Sequence, residues 1–238
     1  MPYIEGCVSP VPAANKDAYR AEAAKTWAMF REFGVTRMVE SWGNDVPDGK
    51  LTDFKGAVKA GKDEVVVFSW LEYPDKATRD SAGERMRSDP RMKEMGANMP
   101  FDGKRMIFGG FMPIVEMRSD TLTPGYVDGS LLAVPTQRKE AYRAWAEKAA
   151  HVLRANGATR IVEAWGDDVP EGKTTDFRRA VQAKDDETVV FCWIEWPSKA
   201  IRDIAWQEMA NDPHLTARNA PFDGQRRISG GFMPILDT

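Results

Sequence analysis

The sequence predicts an α+β fold made of two copies of one βαββαβ unit, and three observations carry that prediction. Residues 99–114, which contain Pro100-Phe101-Asp102-Gly103 and Gly109-Gly110-Phe111-Met112-Pro113-Ile114, return as residues 220–235, a recurrence too long for chance. Tyr3, Tyr19, Gly34, Trp42, Trp70 and Pro90 each have a twin 123 positions on, from Tyr126 to Pro213. Within each copy the apolar spacing switches between period two and a three-and-four pattern, the marks of strand and helix. The units are placed at residues 1–117 and 125–238, with 118–124 joining them. Between Phe101 and Phe222 the spacing has dropped to 121, so copy two lacks two residues between Pro213 and Pro221, a loss that belongs in a surface connection.

Each unit opens with a short strand ending near Pro10-Val11-Pro12. A helix is expected over 15–33, where Tyr19, Ala23, Thr26, Trp27, Phe30 and Phe33 make one buried stripe. Asn15 is placed as its N-cap and Gly34 as its left-handed terminator, with Gly157 in the same role in copy two. The second strand, 36–43, alternates Met38, Glu40 and Trp42 on one face with Arg37, Val39 and Ser41 on the other. Residues 44–63 are rich in turn formers and too long for a plain connection, which suggests a lid or a crossing arm. The third strand, 64–73, is apolar on both faces, with Phe68, Trp70 and Glu72 sharing one of them. Asp75 (Ser198 in copy two) is read as the cap of a second helix. Asp89-Pro90 and Asp212-Pro213 each read as an N-cap and first-turn proline of a further short helix. The Asp102-Gly103 turn leads into the last strand, 105–115. This order is that of a ferredoxin-like unit, an antiparallel sheet with both helices on one face. Two such units can cover each other's bare sheet face, as a barrel or as a face-to-face pair. A seven-residue link reaches at most ~25 Å, so copy one finishes close to where copy two begins.

Composition narrows the functional classes. A net charge of −3 leaves no electrostatic footprint for a nucleic-acid backbone, and no Lys/Arg cluster marks a membrane surface. The two cysteines, Cys7 and Cys192, align with Ser130 and Ser69 in the repeat, which argues against a disulfide framework and for a reducing compartment. With no signal peptide and no long apolar run, a cytoplasmic location is expected. His151 and His214 align with Ala28 and Arg91, so the copies share no histidine and a symmetric pair of haem or zinc sites is not expected. We expect no metal and no cofactor.

Particular phrases carry a resemblance. Tyr3-x-x-Gly6, Val39-Glu40-x-x-Gly43-x-Asp45-Val46, Val66-Val67-Phe68-x-Trp70 and the run from Pro100-Phe101-Asp102-Gly103-Lys104-Arg105 to Gly109-Gly110-Phe111 together resemble the YbaA-like family of small bacterial proteins of unknown function. The match spans nearly the whole chain, once per copy. Gln225 and Ser229 depart from it, in place of Lys104 and Phe108. The resemblance implies a dimeric α/β barrel with both halves on one chain, an intramolecular pseudo-dimer. Its superfamily holds cofactor-free monooxygenases, lactone isomerases, haem enzymes and stress proteins, so it supplies a fold and no catalytic residues.

The candidate chemistry rests on carboxylates beside tryptophans. Glu40 with Trp42, and Trp70 with Glu72, recur as Glu163 with Trp165, and Trp193 with Glu195. A carboxyl on an apolar strand face has its pKa raised by desolvation, which makes Glu40 or Glu163 a possible general base. The structural alternative is pairing with arginine, for which Arg79, Arg202, Arg105 and Arg226 are available. Glu40 and Trp42 are expected to line an interior pocket. Gly109 and Gly230 mark a bulge or a close approach by a side chain, a backbone or a ligand. On the last strand Arg105, Ile107, Gly109 and Phe111 are kept in copy two, while Met106 and Phe108 become Arg227 and Ser229. The shared face should therefore meet the pseudo-dimer core, and two pockets, if present, should differ. The preferred reading is a binder of a small, partly apolar molecule. Its competitors are a cofactor-independent oxygenase or isomerase with a Glu base, and a stress or scaffold protein with a filled core. No nucleic-acid or membrane partner is expected, and the chain should stand alone as a pseudo-dimer or pair as a homodimer.

Overall fold

In the computed structural model, which describes residues 1–119, 123–215 and 220–238, eight antiparallel strands close into one barrel. The first repeat supplies β1 (Tyr3–Pro12), β2 (Arg37–Asp45), β3 (Glu64–Tyr73) and β4 (Ile107–Arg118). The second supplies β5 (Tyr126–Pro135), β6 (Arg160–Asp168), β7 (Glu187–Trp196) and β8 (Ile228–Asp237). Around the barrel the order is β1-β3-β2-β8-β5-β7-β6-β4. Each repeat is a four-stranded ferredoxin-like sheet, and the pairs β2 with β8 and β4 with β6 join the two sheets edge to edge. Closure leaves neither sheet with a free edge, which decides between the barrel and the face-to-face pair.

The helices lie outside. The first, α1 (Lys16–Glu32), follows a 3₁₀ turn, and α3 (Lys76–Ser88) and α4 (Pro90–Ala97) follow β3. In the second repeat α5 (Lys139–Ala155) and α7 (Lys199–Glu208) occupy the places of α1 and α3. The Asp75 carboxylate accepts the Thr78 N–H, Ser198 does the same for Ile201, and Asp89 caps α4 through the Arg91 N–H. Asn15 departs from expectation. It stands at the N-cap of α1, but its side-chain amide donates to the Pro100 carbonyl at 2.7 Å and ties the helix start to the repeated phrase instead. Gly34 and Gly157 end α1 and α5 with φ of +98° and +99°. The copy-two counterpart of α4 and the two-residue deletion between Pro213 and Pro221 fall partly outside the described residues. So does part of the 118–124 link.

The 44–63 segment is a crossing arm. Its short helix α2 (Phe54–Ala57), capped by Asp53, meets its counterpart α6 (Phe177–Ala180) at one barrel mouth. Thr52 donates to the Ala180 carbonyl of the other repeat and Thr175 donates to that of Ala57, both at 2.6 Å. Phe54 packs edge-on to Phe68 and Phe232, and Phe177 to Phe111 and Phe191, so the two arms plug that mouth with aromatic rings. Among the described residues no helix is long and apolar enough to cross a membrane.

Candidate functional site

The register of β2 on β3 decides what the expected site residues do. Val39 lies opposite Trp70 and Glu40 opposite Ser69, so Glu40 and Trp42 stand on the other face of the sheet from Phe68, Trp70 and Glu72. The two candidate pairs never meet. Trp70 and Glu72 point into the barrel, whereas Glu40 and Trp42 point outward beneath α1. The expectation that Glu40 lines the barrel interior is thereby corrected.

That interior is filled. Phe68 stacks on Phe191 at 4.5 Å between ring centroids and Trp70 on Trp193 at 4.6 Å, each pair joining the two repeats. At the mouth opposite the aromatic plug, the arginines and glutamates pair across repeats. Arg160 binds Glu72 through both terminal nitrogens at 2.5 and 3.0 Å, and Arg37 binds Glu195 at 2.8 and 3.2 Å. Each glutamate also accepts the indole N–H of its neighbouring tryptophan at 3.0 Å. Desolvation would raise the Glu72 pKa, but Arg160 and Arg37 hold it below the usual carboxylate range. Trp70, Glu72, Trp193 and Glu195 therefore knit the pseudo-dimer together. The arginines expected to serve them are engaged elsewhere: Arg79 with Glu5 and Asp168, Arg202 with Asp128, Arg105 with Glu64 and Arg226 with Glu187.

The glycine expectation resolves in favour of side chains. Gly109 and Gly230 face the interior, where a Cβ would meet the rings of Phe111 and Phe177, or of Phe232, at 3.3–3.4 Å. The tighter contact is at Gly110, where a Cβ would fall 2.4 Å from the Tyr3 hydroxyl. Strand β4 shifts register against β6 between Gly110 and Phe111, so a bulge is present as well.

The site of chemical interest is on the outer face of the first repeat. Between the sheet and helices α1, α3 and α4 lies a cavity of about 250 Å³ with Glu40 among its lining. Its walls are mostly apolar, with Phe30, Phe101 and five methionines, Met86, Met92, Met95, Met99 and Met106, and Glu5, Cys7 and Glu22 also reach it. The Tyr19 hydroxyl donates to Glu40 Oε2 at 2.6 Å, and Ser69 supplies a second hydrogen bond. Glu40 has no arginine partner among the described residues. Desolvation pushes its carboxyl up to about 7, against the pull of the Tyr19 and Ser69 hydrogen bonds. At neutral pH this carboxyl can both take and give a proton. Trp42 lies to one side with its ring edge-on to Tyr19 at 6.4 Å, buttressing the tyrosine that orients the carboxyl. Tyr19, Ser69 and the methionines were missed as site residues. The signal was available for Tyr19, since a tyrosine on a buried helical stripe needs a partner for its hydroxyl.

The second repeat repeats the polar pair and changes the cavity. Tyr142 donates to Glu163 at 2.5 Å, and burial raises the Glu163 pKa in the same direction. Trp145 stands where the first repeat has Glu22, and with Leu215 and Phe222 it leaves only about 60 Å³ in the matching place. A larger cavity of about 440 Å³ adjoins it, sharing Ser130, Glu163, Cys192, Trp206 and Arg227 with it and adding Ser229 and Asp128. Trp165 packs against Tyr142 as Trp42 does against Tyr19. The divergence from Met106 and Phe108 to Arg227 and Ser229 thus separates two unlike cavities, while Ile107, Gly109 and Phe111 keep the common interior.

A family model described as "Protein of unknown function (DUF1428)" matches residues 2–103 and again 125–224. The chain belongs to this family, as a tandem duplication. The uncharacterised protein YbaA of Escherichia coli strain K12 is 61% identical over 116 residues, a match that covers 49% of this chain and 99% of YbaA. A YbaA of the same identity and coverage occurs in Shigella flexneri. One DUF1428 unit thus spans nearly all of YbaA and about half of this chain. Among solved structures, a candidate monooxygenase from Fusobacterium nucleatum superposes with a TM-score of 0.60 at 9% identity, over 100% of this chain and 94% of its own. One from Lactobacillus acidophilus gives 0.57 at 12%, over 100% and 96%. An anthrone oxidase-like protein gives 0.51 at 12%, over 100% and 92%. At such identities the likeness establishes the shared barrel fold alone.

Proposed function

We propose that the first-repeat cavity binds a small, partly apolar molecule and that Glu40 exchanges a proton with it. The observation that carries this reading is a neutral-range carboxyl in a mostly apolar cavity, walled by five methionines and two phenylalanines alongside the polar groups of Glu5, Cys7, Glu22 and the hydroxyls of Ser9, Tyr19, Thr26 and Ser69. Methionine side chains are long and adaptable, and their sulfurs favour contact with aromatic ring edges, so such a wall suits a flat aromatic or quinone-like guest. A base works best when its pKa lies near the working pH, where it is both available and strong enough to remove a proton. An acidic O–H or C–H of the guest directed at Glu40 Oε1 would lose its proton to the carboxylate, while Tyr19 keeps its bond to Oε2. Return of the proton at another carbon would be an isomerisation, and reaction of the anion with dioxygen an oxygenation. The names of the fold neighbours, two candidate monooxygenases and an anthrone oxidase-like protein, agree with a substrate of that kind. The filled barrel interior does not favour a scaffold, because the cavity lies outside it.

The test is a thermal-shift and calorimetric screen with 1-naphthol, a naphthoquinone and a coumarin. A ligand at a hundred times its Kd stabilises the native state by about 2.7 kcal/mol. The reading requires at least one such hit, with a proton exchange with the buffer near pH 7, read from heats in buffers of different ionisation enthalpy, that disappears in Glu40→Gln. Absence of any shift across these classes contradicts it.

A further inference from the structure

We infer that the second-repeat cavity is a separate binding site for a small monocarboxylate, gripped by the guanidinium of Arg227. An arginine side chain carries five N–H donors. Here one of them, on Nη2, reaches the Ser130 hydroxyl at 3.3 Å, and the Nε–H is buried with no acceptor. None of the ion pairs among the described residues includes Arg227. Burying a guanidinium N–H without an acceptor is costly, so a side chain held this way points to an acceptor that arrives from outside.

The neighbouring acids are already committed. Asp128 binds Arg202 at 2.7 Å and accepts the indole N–H groups of Trp196 and Trp206 at 2.9 and 2.8 Å. Glu163 takes the Tyr142 hydroxyl, and its burial favours the neutral acid. Neither is hydrogen-bonded to Arg227 among the described residues, although the guanidinium lies near enough to Glu163 to pull its pKa down against burial. The planar fork of a guanidinium matches a carboxylate with two parallel hydrogen bonds, and a single unspent cation suits a monoanion better than a phosphate. The hydroxyl of Ser229 stands where the first repeat has the bulky Phe108, and Trp206 where it has Gly83. The cavity thus offers polar groups at one side and an indole at another. At about 440 Å³ it has room for a bicyclic guest. The two cavities share no residue, but their linings correspond through the repeat, with Glu163 in the place of Glu40 and Arg227 in the place of Met106.

The experiment uses the full chain, with 2-naphthoate as probe and its neutral isostere 2-naphthamide as control. Calorimetry at pH 7.5 is expected to show naphthoate binding at least tenfold more tightly than naphthamide. Arg227→Met, which installs the residue of the first repeat, should weaken naphthoate at least tenfold and leave naphthamide unchanged. Arg227→Lys should fall between, keeping the charge without the fork. In the wild-type protein the ¹⁵N–¹H signal of the Arg227 Nε, assigned by its loss in Arg227→Lys, should move on titration with naphthoate. This readout stands even if the methionine variant fails to fold. Equal affinity for the two probes, an unmoved Arg227 signal, or no naphthoate binding up to 5 mM would each overturn the assignment.

Discussion

Removing the Glu40 charge should make the protein more stable in alkali and change nothing in acid. In the unfolded chain this carboxyl titrates near its ordinary value of 4.5, and in the native state near 7. Below pH 4.5 both states hold the proton and the native state pays no penalty for burying the group. As the pH rises, the unfolded state releases its proton first, so stability falls until the native carboxyl has also ionised above about 7. At about 1.36 kcal/mol for each pH unit between those values, wild type loses about 3 kcal/mol over the window. Glu40→Gln keeps an oxygen that accepts the Tyr19 hydroxyl and has nothing to ionise. For a chain of this size about 3 kcal/mol corresponds to roughly 6–12 °C in Tm. Melting curves of both proteins at half-unit steps from pH 4 to 8.5 check this, since all other titrating groups cancel in the difference. The variant should match wild type near pH 4.5 and melt several degrees higher at pH 8. Two parallel curves would refute the reasoning, because Glu40 would then titrate alike in both states.

Three further outcomes follow from the barrel. Arg160→Met leaves the buried Glu72 carboxylate with Arg37 at 3.3 Å as its remaining cation and should cost up to about 3–5 kcal/mol in chemical denaturation, with much of the loss recovered in the double variant with Glu72→Gln. Gly6→Ala would set a Cβ 2.7 Å from the Phe191 ring of the other repeat, and should lower stability by about 1–3 kcal/mol, partly relieved by Phe191→Leu. Thr52→Val removes the arm's hydrogen bond to the Ala180 carbonyl and should cost about 1 kcal/mol, with faster hydrogen exchange confined to the two arms.

The strand order, the crossing arms and the caps at Asp75 and Asp89 were legible because each rests on local chemistry or on the repeat. Which sheet face turns inward was not. The central strands β3 and β7 are buried on both sides, by the opposite wall and by helices, so alternation separates two faces without saying which is inner. Pairing Val39 with Trp70 settles it, and that register also sets Arg37 opposite Glu72. The arginines chosen from sequence were plausible in type, yet the true partners come from the other repeat, through a closure the sequence leaves open. The Glu40 cavity was half legible. Its carboxyl and its divergence at Met106 stood out, but Tyr19 and the methionines of α3 and α4 converge on it only in three dimensions.

The central claim is that Glu40 sits in the first-repeat cavity as a carboxyl able to exchange a proton near neutral pH. Its ¹³C carboxyl resonance, assigned by loss in Glu40→Gln and followed from pH 3 to 9, tests this directly. A midpoint near 7 is the expected result, and a midpoint near 4.5 would contradict the account.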